Sequence, residues 1–306
     1  MTRRLIFIFL DGVGLGPDDP EVNPFAGVEM PVMESLLGGR MLAGCLSGVA
    51  MEKASAFGLD PLMGIDDTPQ SATGQASLLT GKRIPELIGY HYGPKPNPEI
   101  AALIKDGNIF SRIVERGRRA ALLNAYPPRY FQSIASGYRL YSAIPLAVTS
   151  AGIPLMGMDD FYESRALSAD FTGEAWRTFL GFPDAPLRSD AEAGVLLAEL
   201  ACSYELTFFE FWITDLLGHR QDMDGAMGIL ERFDRVLGGL TENVDPGDCL
   251  ILITSDHGNL EDLSTRRHTK NQVPAILIGS PELREEFGSR LKDLADISTQ
   301  IEGFLL

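Results

Sequence analysis

Asp256 and His257 end an apolar run, Leu250-Ile251-Leu252-Ile253-Thr254-Ser255, and Gly258 follows them. A buried strand that stops this way either enters a plain polar turn or delivers two metal-capable side chains to the edge of a sheet. The pattern recurs along the chain. Asp11-Gly12 follows the run from Leu5 to Leu10, and Asp215 and His219 stand four apart after Leu206 to Ile213. That spacing reaches one cation whether the backbone coils or loops. His268-Thr269 precedes the last apolar run, Val273 to Gly279. Three of the four histidines therefore accompany three strand-terminal carboxylates. Hard oxygens mixed with imidazoles, without thiolates, suit zinc or manganese better than calcium or an iron-sulfur centre. The set is also too large for one catalytic ion.

Ser71 is the candidate nucleophile. Pro69 and Ser71 are helix start signals, Ala76 to Leu79 form an apolar face, and Gly81 is a natural residue to follow the last turn. A serine there is a cap, or a hydroxyl whose ionised form the helix dipole and a nearby metal would favour. The surrounding residues are not Gly-x-Ser-x-Gly, so an esterase nucleophile elbow is not indicated. His91, in the turn-rich stretch from Gly89 to Pro96, is either structural or a substrate contact, and Lys270 stands two residues beyond His268. Lys95, Arg129, Arg139 and Arg165 are either anion clamps or solvated surface charges.

The elements that must position these residues read as alternating strands and helices, hence an α/β fold with a parallel sheet. Strands are expected at Leu5 to Leu10, Ala54 to Leu59, Arg119 to Ala125, Leu206 to Ile213, Cys249 to Thr254 and Val273 to Gly279. Helices are expected at Pro31 to Leu37, Glu99 to Gly117 with Asn108 as an interruption, Ala191 to Cys202, Asp222 to Leu240, and along the tail from Pro281 to Leu306. If the sheet is parallel, Asp11, Asp215 and Asp256 share the carboxyl edge where open α/β sheets place their sites. Periodicity fails between Tyr126 and Ser189, where prolines and glycines punctuate short pieces. This reads as one domain over 1–306 with a small cap or loop insertion at 126–190.

Composition narrows the partners. The 306 residues are 45% hydrophobic and 22% charged, as in an ordinary soluble protein. A net charge of −16 argues against nucleic acid and against an anionic membrane surface. The three cysteines, Cys45, Cys202 and Cys249, lack paired spacing and read as free thiols. The basic residues before Leu5 to Leu10 do not make a signal peptide or a membrane span, because Asp11 ends the run too early. The expectation is a cytoplasmic protein.

The order of these motifs resembles the alkaline phosphatase superfamily, on its branch containing cofactor-independent phosphoglycerate mutase and phosphopentomutase. Ser71-Ala72-Thr73-Gly74-Gln75 resembles the nucleophile segment of that branch, and Asp215-Leu216-Leu217-Gly218-His219-Arg220 the phosphopentomutase form of the metal motif. Thr254-Ser255-Asp256-His257-Gly258-Asn259 resembles the mutase form, and His268-Thr269-Lys270-Asn271-Gln272-Val273-Pro274 completes the set. The similarity runs from residue 5 to about residue 279. It implies a three-layer α/β/α sandwich around a mostly parallel sheet, and two divalent metal ions, Mn²⁺ or Zn²⁺. One ion would be held by Asp215, His219 and His268, the other by Asp11, Asp256, His257 and the Ser71 oxygen. Asp256 and His257 are neighbours, so the strand pleat must already have ended there if both are ligands.

The resemblance further implies transfer of a phosphoryl group from a small phosphorylated substrate through a phosphoserine on Ser71. Gln75 departs from the pattern by standing where relatives usually have His, and it joins His91, Arg165 and Lys270 as a candidate substrate contact. The mutases shelter their phosphorylated intermediate under a sizeable separate domain, for which 126–190 looks too small. Hydrolysis of a phosphate mono- or diester is therefore the first expectation, with a phosphomutase as the alternative. A non-catalytic metal-binding protein of the same fold is the second alternative. A sulfatase is not expected, because Ser71 lacks Pro two residues on and Arg four residues on.

Overall fold

A computed structural model describes residues 3–44 and 49–306; Cys45 lies outside the described residues. Seven strands, β1 (Arg4–Leu10), β2 (Val49–Ala50), β3 (Ala54–Leu59), β4 (Ala120–Leu122), β5 (Leu206–Phe211), β6 (Cys249–Thr254) and β7 (Val273–Ile278), form one sheet in the order β2-β3-β7-β6-β1-β5-β4. The central three are apolar nearly throughout because helices cover both their faces, which is why they lack the alternation of a half-exposed strand. β4, β5, β1 and β6 run parallel, and β7 is antiparallel to β6. β3 is antiparallel to β7 and so shares the direction of the parallel set, while β2 opposes β3.

Register aligns the functional ends. Phe9 pairs with both Glu210 and Thr254, so the chain leaves β1, β5 and β6 at nearly the same height. One face of the sheet presents Ile6, Ile8, Phe209, Phe211, Ile251 and Ile253 to helices Pro31–Leu37, Asp190–Ala201 and Met223–Thr241. The other presents Phe7, Phe9, Phe208 and Leu252 to helices Ser71–Thr80, Pro98–Asp106, Ile109–Glu115, Ala143–Ser150 and Leu294–Leu305. The result is the expected α/β/α sandwich. Each fully buried side chain of this kind contributes about 1.5–3 kcal/mol, and together they hold the three strand ends in place.

Several boundaries differ from the sequence reading for local reasons. β5 ends at Phe211 because the chain turns there into helix Ile213–Arg220, where the Thr214 hydroxyl bonds to the carbonyls of Asp11 at 2.5 Å and Phe211 at 3.1 Å. The expected strand from Arg119 to Ala125 shrinks to Ala120–Leu122, since beyond it Asn124 replaces ladder pairing with side-chain bonds to the Glu210 backbone at 2.7 and 2.8 Å. Asn108 does interrupt its helix, capping the second half in a reciprocal box with Ser111. The tail is two helices, Pro281–Gly288 and Leu294–Leu305, the second capped by Asp293.

Residues 126–190 carry four short helices, Pro128–Ala135, Ala143–Ser150, Met158–Tyr162 and Glu174–Thr178. Ala143–Ser150 joins the second helical layer, and Phe171 stacks on Phe209 with centroids 4.6 Å apart. Phe161, Ala166, Trp176 and Ala185 form a small satellite core with Ala125. Among the described residues, no helix is long and apolar enough to cross a membrane.

Candidate metal centre

Three chain segments meet just beyond the strand ends. Gly12 follows Asp11 with φ of 68°, and a Cβ built on it would lie 2.6 Å from Asp215 Oδ1, so only glycine lets the β1 loop pass beneath that carboxylate. The amide of Val13 donates to Ser255 Oγ at 2.8 Å, and that hydroxyl donates to the His257 carbonyl at 3.0 Å. Asn259 Nδ2 donates to Asp215 Oδ1 at 2.7 Å, tying the β6 loop to the β5 loop. The fully buried Glu261 collects the amides of Gly14 at 2.9 Å and Asn259 at 2.8 Å, Asn271 Nδ2 at 3.0 Å, and the Thr269 hydroxyl. One carboxylate thus fastens the loops that follow β1 and β6 to the loop that carries His268.

Ser71 is the first residue of helix Ser71–Thr80, whose ten residues are all buried. The helix reaches the strand end because residue 74 is glycine: a Cβ there would stand 2.7 Å from the Asp256 carbonyl oxygen. Ser71 Oγ consequently lies 3.0 Å from His257 Nε2. β6 ends at Thr254, so Asp256 and His257 lie outside the pleat, with His257 Nε2 3.5 Å from Asp256 Oδ2.

The histidines are oriented by their outer nitrogens. Nδ1 of His219 faces the Arg266 carbonyl at 2.8 Å, Nδ1 of His268 the Pro69 carbonyl at 2.8 Å, and Nδ1 of His257 the Gly258 carbonyl at 3.3 Å. A carbonyl only accepts, so each neutral ring carries its proton on Nδ1 and turns the Nε2 lone pair inward, as metal-ligating histidines do. His219 Nε2 lies 3.3 Å from Asp215 Oδ2, and His268 Nε2 lies 3.7 Å from Asp215 Oδ1. His257 Nε2 is 3.5 Å from Asp11 Oδ1, an oxygen that is buried without a hydrogen-bond partner. Two groups have donor atoms close enough to share an ion, Asp215 with His219 and His268, and Asp11 with Asp215 and His257. Asp215 belongs to both, and the orphaned oxygen and inward lone pairs fit divalent cations.

Electrostatics agree. Burial, then the charges of Asp256 and Asp215, push the Asp11 carboxyl well up, and burial with Asp215 pushes Asp256 up to about 7. Burial also lowers His257, and burial with the His257 charge lowers His268 to about 4. The hydrogen bond to Asp215 raises His219. The metal-free cluster therefore gathers more carboxylate than it can keep ionised and holds two imidazoles neutral, the state a cation needs.

The other candidates divide. Gln75 enters the cluster, with Nε2 3.1 Å from Asp256 Oδ2 and 3.5 Å from Asp11 Oδ2. His91 is buried against the same helix, with its ring nitrogens 3.5 Å from Thr73 Oγ1 and 3.3 Å from the Ile65 carbonyl, a structural arrangement. Lys270 is exposed and pairs with Asp66 at 2.7 Å. Arg165 is taken up by Asp160 and Glu163 of its own loop, because two carboxylates stand within five residues of it. No described contact joins Arg165, Lys270 or His91 to Ser71 or to the histidine cluster. Asn259 and Glu261 were not singled out by the sequence reading, although both stand in the polar string after Asp256. Glu210 was legible only as an oddity inside an apolar strand. It is buried, accepts from Tyr126 Oη at 3.3 Å, and is raised to about 7, chiefly by burial.

The fold is an α/β/α sandwich like that of alkaline phosphatase, and its candidate donor set lies at the carboxyl edge of the sheet. Residues 184–306 match the model of the Metalloenzyme superfamily, which implies divalent-metal binding. A 2,3-bisphosphoglycerate-independent phosphoglycerate mutase of Cereibacter sphaeroides is 32% identical over 113 residues, 35% of this chain and 22% of that protein. A phosphopentomutase of a Methylobacterium species is 39% identical over 88 residues, 29% of this chain and 21% of that protein. The chain thus spans about a fifth of the length of the curated relatives it matches. Among solved structures, the PH0037 protein of Pyrococcus horikoshii aligns with TM-score 0.56 at 15% identity, over 100% of this chain and 97% of that one. Phosphoglycerate mutase of Leishmania mexicana gives 0.52 at 12%, over 100% and 95%, and alkaline phosphatase of the Antarctic bacterium TAB5 gives 0.53 at 11%, over 99% and 98%. The chain thus carries a region that matches the Metalloenzyme superfamily, is similar in part of its sequence to phosphoglycerate mutase and phosphopentomutase, and is similar in fold to phosphoglycerate mutase and alkaline phosphatase.

Proposed function

We propose that this protein is a two-metal phosphoryl-transfer enzyme in which Ser71 is the nucleophile and a small phosphorylated molecule is the substrate. The observation that carries the reading is Ser71 Oγ held 3.0 Å from His257 Nε2 at the first turn of a helix, directly over the carboxylate and histidine cluster. Asp215, His219 and His268 would hold one ion, and Asp11 and His257 the other, with Asp215 near enough to serve both; Asp256 and Ser71, 3.5 and 3.0 Å from His257 Nε2, would complete the second set. Mixed oxygen and imidazole donors suit Mn²⁺ or Zn²⁺. Bound cations would supply Lewis acidity, favouring the ionised hydroxyl and offsetting charge on the phosphoryl and leaving oxygens. Ser71 attacks phosphorus in line, the ester oxygen departs with a proton, and the phosphoserine passes its group to a second acceptor.

The relatives' names favour a hydroxyl acceptor, and so a phosphomutase, over the hydrolysis that the sequence reading placed first. Hydrolysis is kept as the second reading because 126–190, which we take as the small insertion of one catalytic domain, consists of only four short helices. The free thiols of Cys202 and Cys249 fit a reducing, cytoplasmic setting.

The test is turnover of phosphoglycerates, phosphopentoses and simple phosphomonoesters with Mn²⁺ or Zn²⁺, following isomerised product and free phosphate separately. Isomer without phosphate is expected; phosphate alone would establish the hydrolase. Ser71→Ala should lower turnover by about a thousandfold or more while keeping the fold and the ion group of Asp215, His219 and His268. Unchanged turnover in that variant would remove Ser71 from the mechanism. Metal uptake with no turnover on any substrate would favour the non-catalytic alternative.

A further inference from the structure

Gln75 stands one helical turn after Ser71 and is 3% exposed. Its Nε2 lies 3.1 Å from Asp256 Oδ2 and 3.5 Å from Asp11 Oδ2, so a single amide spans two carboxylates that come from opposite ends of the chain. With both carboxyls ionised this orientation is the favourable one, because the reverse would set Oε1 against two acceptors. Oε1 itself is buried and lacks a partner, as does Asp11 Oδ1. Burying an amide oxygen without a hydrogen bond is costly, so the side chain accepts one unsatisfied atom in order to place two donor hydrogens on the carboxylates.

We propose that Gln75 is a positioning residue for the metal centre: a neutral bridge that holds Asp11 and Asp256 side by side and leaves the unpartnered Asp11 Oδ1 open to a cation. Each amide hydrogen occupies one oxygen of one carboxylate. The bonded atoms are the two Oδ2 oxygens, which leaves Asp11 Oδ1 toward His257 Nε2 at 3.5 Å, while Asp256 Oδ1 accepts the Gly12 amide at 3.4 Å and Asp256 Oδ2 itself lies 3.5 Å from His257 Nε2. A cationic bridge in this place would compete with the metal for both carboxylates, and an anionic one would add a third charge to the pair. The neutral donor does neither. Outer-shell partners of this kind are worth about 10–100-fold in metal affinity.

This inference rests on the metal reading, and the test separates the two. Mn²⁺ and Zn²⁺ affinities are measured by calorimetry on the native protein, on Gln75→Met, which keeps the length and loses the donor, and on Gln75→His, which restores an N–H. Gln75→Met should weaken binding about tenfold or more, with Gln75→His recovering most of the loss. Gln75→Met binding as tightly as the native protein would overturn the proposal, as would equal weakening in both variants. Native protein that takes up neither ion would defeat the metal reading instead. Should Gln75→Met fail to fold, the unaltered protein labelled with ¹⁵N-glutamine decides. The Gln75 side-chain amide resonances should move on titration with diamagnetic Zn²⁺, and resonances that stay in place would overturn the proposal.

Discussion

Nε2 of His219 and Nε2 of His268 face each other 3.1 Å apart, although each ring has its Nδ1 set against a backbone carbonyl. Two neutral rings so oriented present lone pair to lone pair, which is unfavourable unless a cation lies between them or one ring takes up a proton. His219, which Asp215 raises, is the more basic of the two rings, since His268 is lowered to about 4. His268→Ala removes an inward donor and should lower affinity for the ion shared with Asp215 and His219 by at least tenfold. Saturating Mn²⁺ or Zn²⁺ at about 100 times Kd stabilises a folded protein by about 2.7 kcal/mol. The native protein should show the corresponding rise in melting temperature, and His268→Ala should show a smaller one at the same metal concentration. Equal rises would mean that His268 is not a ligand.

The pH dependence follows from the buried carboxylates. Asp256 goes from an ordinary 3.8 to about 7, and Asp11 moves in the same direction. A carboxyl raised in the folded state keeps its proton longer than in the unfolded chain, so Asp256 costs the metal-free protein stability as pH climbs from about 4 through 7, and Asp11 adds a cost of the same sign. His268, lowered to about 4 from 6.5, works the other way, and its contribution grows over that interval. By pH 8 the effects of Asp256 and His268 are nearly complete. A cation relieves the carboxylate repulsion and displaces fewer carboxyl protons at pH 8 than at pH 6. The metal-induced rise in melting temperature should therefore be larger at pH 8 than at pH 6. A larger rise at pH 6 would contradict the assignment of Asp11 and Asp256 to the metal centre.

The strands and their terminal carboxylates were legible because continuous apolar runs such as Leu5 to Leu10 can only be buried, and a buried strand that stops on Asp leaves that Asp at an edge. Asp215 and His219 were legible by spacing alone. The second attachment of each ligand was not, because it depends on residues distant in sequence: Asn259 on Asp215, Pro69 on His268, Glu261 on the loops after β1 and β6. Direction within the sheet was also hidden. Val273 to Ile278 has the apolar character of a parallel core strand, yet it pairs antiparallel with β6, since a strand buried on both faces reads alike in either orientation. The pairing of Arg165 was hidden as well: an arginine in an irregular stretch does not show from sequence that Asp160 and Glu163 fold back onto it.

Gly12→Ala tests whether the β1 loop sets the ligand geometry. The backbone there has φ of 68°, and the added methyl would meet Asp215 Oδ1 at 2.6 Å. Conformational strain alone costs about 1–3 kcal/mol, visible as a lower denaturant midpoint. Because the carboxylate that must move is shared by both ion groups, metal affinity should fall further than the stability loss accounts for. Affinity unchanged beside a lowered midpoint would show that Asp215 can shift freely.

Glu261→Gln probes the opposite side of the same architecture. The native carboxylate accepts from four donors and offers none, so every neighbour points a hydrogen at it. An amide keeps the volume but replaces one acceptor with an NH₂ group, which must then face the Gly14 and Asn259 amides or the Thr269 and Asn271 side chains. Leaving buried donors unmatched costs about 1–3 kcal/mol, and the loss should appear in the metal-free melting temperature. His268 sits one residue before Thr269, and Asn259 holds Asp215, so loosening Glu261 should also weaken the ion group built on Asp215, His219 and His268. The Gly14 and Asn259 amides tie Glu261 just as directly to the loops that carry Asp11 and His257, so the other ion group should weaken as well. The discriminating measurement is a metal titration beside a melting curve: Glu261→Gln should lower both metal affinity and the metal-free melting temperature. Unchanged affinity beside a lowered melting temperature would mean that Glu261 supports the edge of the sheet without setting the geometry of the metal centre.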